Sequence, residues 1–295
     1  MSARPARLAI GVVSAGRVGA VVGAAWAAAG HRVVATSGVS KASVDRAAAL
    51  LPGVPLLAPD AVVAGSDLAL LAVPDDALPG MVRGLAAAGS FRAGQIVVHT
   101  SGAHGIGVLA PALEHGVLPL ALHPVMTFTG RREDVARLAG CSVGVTAADD
   151  EVGFSVGAAL VVEMGAEPVR VAEAVRPLYH AALAHGANHL VTLVRDCVDT
   201  LERAGIRPAE RLVAPLLSAA LDNALRHGDR ALTGPVARGD VGTVRKHLRE
   251  LTAADPDLAE TYRVLARRTA HRAGDAGLLP DHAVDDVLST LREGP

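Results

Sequence analysis

Aromatic side chains are scarce in this 295-residue chain, which has one Trp, two Tyr and three Phe. Its core must be built from Ala, Val and Leu instead. Cysteine is rare as well. Cys141 and Cys197 are the only two, far apart in sequence, and they fit no metal-ligand or disulfide spacing. That excludes a disulfide-framed module, gives no reason to expect a metal, and makes a reducing, cytoplasmic compartment the simple expectation. Excess charge of either sign is missing too: 28 Lys and Arg stand against 30 Asp and Glu, for a net charge of −2. Nothing electrostatic then favours a nucleic acid or an anionic membrane as partner. A membrane-spanning run is also absent. The longest stretch without a full charge, around Ala93 to Leu113, is broken by Gln, His, Gly, Ser and Pro. Arg4 and Arg7 precede an apolar run as in a signal peptide, but Arg17 ends that run at about half the usual apolar length. The expectation is a two-domain protein with large cores and a small-molecule partner.

The most informative stretch is Leu8 to Gly19, an apolar run followed by Ser14-Ala15-Gly16-Arg17-Val18-Gly19. Val18, Val21, Val22 and Ala25 then recur at helical spacing, so a buried strand enters a helix here. A dinucleotide-binding unit begins in this way. Gly16 lets backbone approach a pyrophosphate, Gly19 lets helix and strand pack closely, and phosphate charge meets the free N–H groups of the helix start. Ser14 stands where the first glycine of the fingerprint is expected; it can make the tight turn and offer a hydroxyl. Ser14, Ala15, Gly16, Arg17 and Val18 are therefore cofactor-binding candidates.

A second strand, His31 to Thr36, ends where an acidic residue would bind the ribose of NAD. The sequence there is Thr36-Ser37-Gly38-Val39-Ser40-Lys41, without a carboxylate. Ser37 and Lys41 are candidates for a 2′-phosphate, and NADP(H) is expected over NAD(H); a merely solvated Lys41 is the alternative. Asp67 to Val73 is a third strand, apolar enough to be covered on both faces of a parallel sheet. Pro74-Asp75-Asp76 is expected to open a helix with an aspartate as its cap, while the Val73–Pro74 backbone lines the cofactor. Strands at Gln95–His99 and Val117–Leu122 carry His99-Thr100-Ser101-Gly102 and His123-Pro124 at their carboxyl ends, the edge where ligands of such sheets collect. Thr100 is a cofactor candidate there, and Ser101 and His123 are substrate-side candidates, unless each only satisfies loop backbone. Ser142–Thr146 and Glu167–Val171 read as outer strands around a helix from about Asp149 to Met164.

Past Val171 no strand signal appears, and long Ala/Leu-rich helical periods run on, interrupted at 205–208, 228–239, 255–256 and 277–280. The expected fold is α/β plus all-α: a Rossmann dinucleotide-binding sheet over residues 1–172 and a helical substrate and dimerisation domain over 173–295. In the first helix of the second part, His180 and Asn188 share one broad face about 12 Å apart, so they can flank a small ligand. A histidine bonded to a nearby carbonyl, or His185 in its place, are the alternatives. Arg238, in Gly234-Pro235-Val236-Ala237-Arg238-Gly239-Asp240, has the geometry to bind a carboxylate or to make an interdomain salt bridge. Asp240 reads as a helix cap.

Taken in order, Gly11 to Gly16, Val73-Pro74-Asp75-Asp76, His99-Thr100-Ser101-Gly102, Leu122-His123-Pro124, Tyr179-His180 with Asn188, and Gly234-Pro235 to Arg238-Gly239-Asp240 resemble one known family. It comprises Rossmann-like reductases with a helical C-terminal domain of unknown function, related to pyrroline-5-carboxylate reductases and β-hydroxyacid dehydrogenases. Some members are a separate class of ketopantoate reductase. The resemblance implies a nicotinamide-dependent reductase, commonly a dimer through its helical part. The better-known relatives use a lysine one helical turn before the asparagine, and that position here is Ala184. His180 is then the first choice of general acid and His123 the second. The expected reaction is NADPH-dependent reduction of ketopantoate to pantoate, with Asn188 orienting the oxygen and Arg238 holding the carboxylate. Reduction of a cyclic imine such as pyrroline-5-carboxylate, or of another 2-keto or 3-hydroxy acid, is the alternative. A non-catalytic NADP(H) sensor is the reading from another class.

Overall fold

The structure, a computed structural model, describes residues 7–148 and 151–293; Arg4 and Asp149, named above, lie outside them. Seven strands are formed: β1 (Ala9–Val13), β2 (Arg32–Thr36), β3 (Leu68–Leu71), β4 (Ile96–His99), β5 (Leu118–Pro124), β6 (Ser142–Thr146) and β7 (Glu167–Arg170). They make one sheet in the order β2-β1-β3-β4-β5-β6-β7. The strands from β2 to β5 run parallel, β6 pairs antiparallel with β5, and β7 is parallel to β6. The last two are the outer strands expected from sequence.

Helices α1 (Arg17–Ala28), α2 (Lys41–Leu50), α3 (Pro59–Ala64), α4 (Leu78–Ala87), α5 (Ala110–Leu113), α6 (Arg132–Leu138) and α7 (Glu151–Glu163) accompany the sheet. Alternation along the strands divides the core. Ile10, Val12, Leu68 and Leu70 pack with Trp26 and Leu160, whereas Val13, Ala69 and Leu71 pack with Val62, Val82 and Leu109. Trp26 is fully buried and its indole N–H donates to the Leu160 carbonyl at 2.9 Å. Truncating such a side chain to alanine costs about 3–5 kcal/mol. The chain crosses from β2 past β1 to β3, so the order of strand addition reverses at β1 and a crevice opens at the carboxyl ends of β1 and β3.

One local expectation is corrected. Asp75 and Asp76 do not cap a helix: α4 begins at Leu78, and its N-cap is Ala77 with no side-chain bond. The N–H groups of Ala77 and Leu78 both bond the Pro74 carbonyl, forming a turn that delays the helix. Pro79 then occupies the first helical turn, where its missing N–H costs nothing.

The remaining helices are α8 (Arg176–Arg203), α9 (Ala209–His227), α10 (Gly234–Ala237), α11 (Val241–Ala254), α12 (Pro256–Asp275) and α13 (Asp281–Arg292). Their breaks fall at the interruptions read from sequence. No helix among the described residues is long and apolar enough to cross a membrane. Asp240 does cap α11, accepting from the Thr243 N–H at 3.0 Å. A second core, with Val244, Leu248, Ala266, Ala270 and Val287, joins α11, α12 and α13. The two compact units divide inside α8, between Gly186 and Ala187. Strand signals end near 172, but Arg176 and Tyr179 of α8 are bonded to the sheet, and this part of the helix belongs to the first unit.

Candidate active site

A cleft of about 540 Å³ opens at the carboxyl edge of β1, lined by Ser14, Gly16 and Arg17, by 37–40 after β2, by Arg46 of α2 and by Val73 and Pro74 after β3. Ser14 takes a positive φ of 76°, a left-handed conformation that costs a residue other than glycine on the order of 1 kcal/mol. Two bonds hold the turn there. The Ser14 N–H donates to Ser37 Oγ at 2.9 Å and the Ala15 N–H to the Ser37 carbonyl at 2.7 Å. Ser37 is thus the brace of the turn as well as part of the lining, and the Ala15 amide is already committed. A Cβ on Gly19 would strike the Ser14 carbonyl oxygen, which explains the glycine. The N-cap of α1 is Gly16, with no side-chain capping bond. The N–H groups of Arg17 and Val18 therefore lack intrahelical partners and carry the positive end of the helix dipole. This cradle fits a nucleotide phosphate.

Of the two basic residues singled out from sequence, Arg17 lines the cleft and Lys41 does not. Lys41 Nζ bonds Asp45 across one turn of α2 at 2.7 Å, both are exposed, and Lys41 is not part of the lining. Arg46 lines the cleft instead and donates to the Ala15 carbonyl at 3.2 Å. Its side chain and that of Arg17 press on the bare Cα of Gly130. Sequence reading missed Arg46, whose only signal is a basic residue on the helix after β2. Thr100 is half-buried beyond β4 and lies outside the lining.

A second polar cluster is assembled by the ends of β4 and β5 and the start of α8. His99 closes β4 with both ring nitrogens engaged: Nδ1 accepts the Ser101 N–H at 3.2 Å and Nε2 lies 3.0 Å from the Gly105 carbonyl. Ser101 is buried, and its Oγ accepts the His104 N–H at 3.0 Å, the backbone-satisfying alternative foreseen for it. Arg176 is fully buried, donating to the Ser101 carbonyl at 2.6 Å and to Thr146 Oγ1 at 2.7 Å. His123 Nδ1 lies 2.9 Å from the Tyr179 hydroxyl. His180 meets His123 edge to face, with ring centres 5.9 Å apart.

Burial above all pushes His123 down to about 4; the charges of Arg176 and His180 add to this and Asp75 opposes it. Burial likewise raises the Tyr179 phenol, while Arg176 pulls it back. The structure therefore brings Ser101, His123 and His180 together, and adds Tyr179, Arg176 and Gly102, whose roles sequence reading did not assign. Asn188 and Arg238 lie in the second unit, both exposed.

Residues 1–124 match the Rossmann-like domain, and residues 141–269 match a domain of unknown function, DUF2520. The class is Rossmann-like, as the sheet order and the glycine turn require. More particularly, the chain joins a Rossmann-like domain to a DUF2520 domain, the arrangement that the resemblance implied. No curated protein matches the sequence.

Among solved structures, a protein from Bacteroides fragilis provisionally assigned as an NADP oxidoreductase is 20% identical. It covers 89% of this chain and 98% of its own, with a TM-score of 0.75. An imine reductase from Myxococcus stipitatus in complex with NADP+ is 17% identical over 97% of this chain and 100% of its own, with a TM-score of 0.64. A pyrroline-5-carboxylate reductase from Coxiella burnetii is 12% identical over 97% of both chains, with a TM-score of 0.56. At these identities the likeness is one of fold.

Proposed function

We propose that the chain is an NADP(H)-dependent oxidoreductase that reduces a small keto acid, in the specific assignment 2-dehydropantoate (ketopantoate) to pantoate. The observation that carries this reading is the uncapped start of α1 facing a cleft with two arginines and no carboxylate at the end of β2. That combination suits a dinucleotide bearing a 2′-phosphate and disfavours NAD(H). The NADP named for the Bacteroides and Myxococcus proteins supports the same cofactor. The bound dinucleotide supplies the hydride. The chain's own groups do the rest: the helix start and Arg17 take phosphate charge, and the histidine corner at His123 and His180 supplies the proton. Asn188 is assigned to orient the substrate oxygen and Arg238 to hold its carboxylate.

Reduction of a cyclic imine such as pyrroline-5-carboxylate is the second reading. It is favoured by the neutral state of His123, since a substrate that arrives protonated asks less of an acid. Leu212 and Leu216 stand exposed one turn apart on α9 and supply the apolar face for a homodimer.

A thermal-shift series with NADPH and NADH, then with ketopantoate and pyrroline-5-carboxylate, followed by assays of nicotinamide oxidation, tests these assignments. Preferential stabilisation by NADPH and turnover of ketopantoate is the expected result. Turnover of the imine alone moves the assignment to the second reading. NADPH binding without oxidation by any keto acid or imine makes the chain a sensor rather than an enzyme.

A further inference from the structure

The antiparallel register of β5 and β6 sets His123 opposite Gly144. A Cβ at 144 would lie 2.6 Å from the Tyr179 hydroxyl oxygen, so the missing side chain is what seats the phenol beside His123 Nδ1. The other ring nitrogen, Nε2, faces the bare Cα of Gly102. A Cβ there would lie 2.8 Å from His123 Nε2 and 2.5 Å from His180 Cδ2, so only a glycine lets both imidazoles close on this backbone. Behind the phenol stands Arg176, its guanidinium carbon 6.0 Å from the Tyr179 ring centre and its Nε buried without a hydrogen-bond partner. Asp75 and His180 are the other charged or titratable groups acting on His123.

We propose that Tyr179 and His123 form a proton relay whose outlet is His123 Nε2, on the side of the ring away from the phenol, with Tyr179 as the positioning and proton-supplying residue behind the imidazole. The relay rests on the reductase reading. As hydride adds to the carbonyl carbon, the C=O π pair moves onto oxygen, and that oxygen takes the Nε2 proton. His123 Nδ1 takes the Tyr179 proton in the same movement, so the imidazole ends neutral, as it began. The phenolate, left beside Arg176, takes the Nδ1 proton back, and Nε2 regains its own proton from water. Net consumption is one hydride and one proton. No imidazolium is formed, which matters because a histidine held near 4 is almost never protonated at neutral pH.

The test has two arms. In the full chain without ligands, imidazole nitrogen NMR shifts should place the His123 proton on Nε2, with Tyr179→Phe mixing the tautomers; a wild-type proton on Nδ1 overturns the relay. With NADPH and ketopantoate, Tyr179→Phe should lower kcat on the order of 10²-fold while KM and the NADPH Kd stay nearly unchanged. Its solvent proton inventory should turn from curved to linear. A wild type that oxidises NADPH, beside a Tyr179→Phe variant with unchanged kcat and inventory, overturns the relay alone. A wild type that binds no NADPH overturns the reductase reading and the relay together.

Discussion

His123 and Gly144 are cross-strand partners in the β5–β6 pair, and the Tyr179 hydroxyl occupies the space that a side chain at 144 would fill. Gly102 plays the matching part on the other side of the imidazole. Gly102→Ala places a methyl group against His123 Nε2 and His180, and should lower kcat at least tenfold while the NADPH Kd is unchanged. Overpacking of this kind destabilises by about 1–3 kcal/mol. Denaturant midpoints and steady-state kinetics on the same preparation check both halves; unchanged kcat would show that the placement of His123 Nε2 does not govern the reaction.

His99 gives a prediction in pH. Burial pushes its imidazole down to about 4, against the opposing bond from Gly105 and with Arg176 adding to the shift. Between about 4 and 6.5 the unfolded chain binds a proton at this position and the folded chain does not, so stability rises with pH across that window. Falling from pH 7 to pH 4 should cost on the order of 3 kcal/mol from this one fully buried group. His123 contributes with the same sign. Urea midpoints at several pH values should show the loss, and His99→Gln should flatten the profile.

Much of this was legible in sequence, for reasons that differ by element. The apolar run read as a strand at Asp67–Val73 forms one at Leu68 to Leu71, and Ser142 to Thr146 emerges with the bounds read from sequence. The turn at Ser14 was legible because Gly16 and Gly19 follow at the right spacing. The site was less legible because its contacts are set by register and helix rotation. Tyr179 reaches His123 across 56 residues, and only the antiparallel turn of β6 puts Gly144 beneath it. Lys41 and Arg46 are both basic residues of α2, and nothing local says which one turns toward the cleft. Asp75 follows a proline before a helix whether it caps that helix or only makes the turn ahead of it.

Arg46 supports a prediction on cofactor choice. Its guanidinium lines the cleft while Lys41 is spent on Asp45 at the surface. A hydrogen bond to a charged group is worth about 1.5–3 kcal/mol, so Arg46→Gln should weaken NADPH binding by about tenfold or more, with NADH affected much less. The difference should shrink at high salt. Lys41→Gln should change neither. Fluorescence titrations of both cofactors decide it: equal losses for NADPH and NADH would put Arg46 on the pyrophosphate rather than on the 2′-phosphate.

The exposed face of α9 predicts an assembly. Leu212 and Leu216 are 55% and 67% exposed at i, i+4 spacing, while Val213, on the inner side, is buried with Val198 and Ala209. Covering a leucine of this kind is worth about 1.5–3 kcal/mol, and a symmetric dimer covers each of them twice. The wild-type chain should therefore sediment as a dimer at micromolar concentration. Leu216→Glu adds a charge that the dimer would have to bury unpaired, and should shift the equilibrium to monomer without lowering the helical signal in circular dichroism, since residue 216 contributes little to the unit's own core. If the wild type sediments as a monomer at every concentration tried, or if Leu216→Glu leaves a dimer intact, that face of α9 is not the interface.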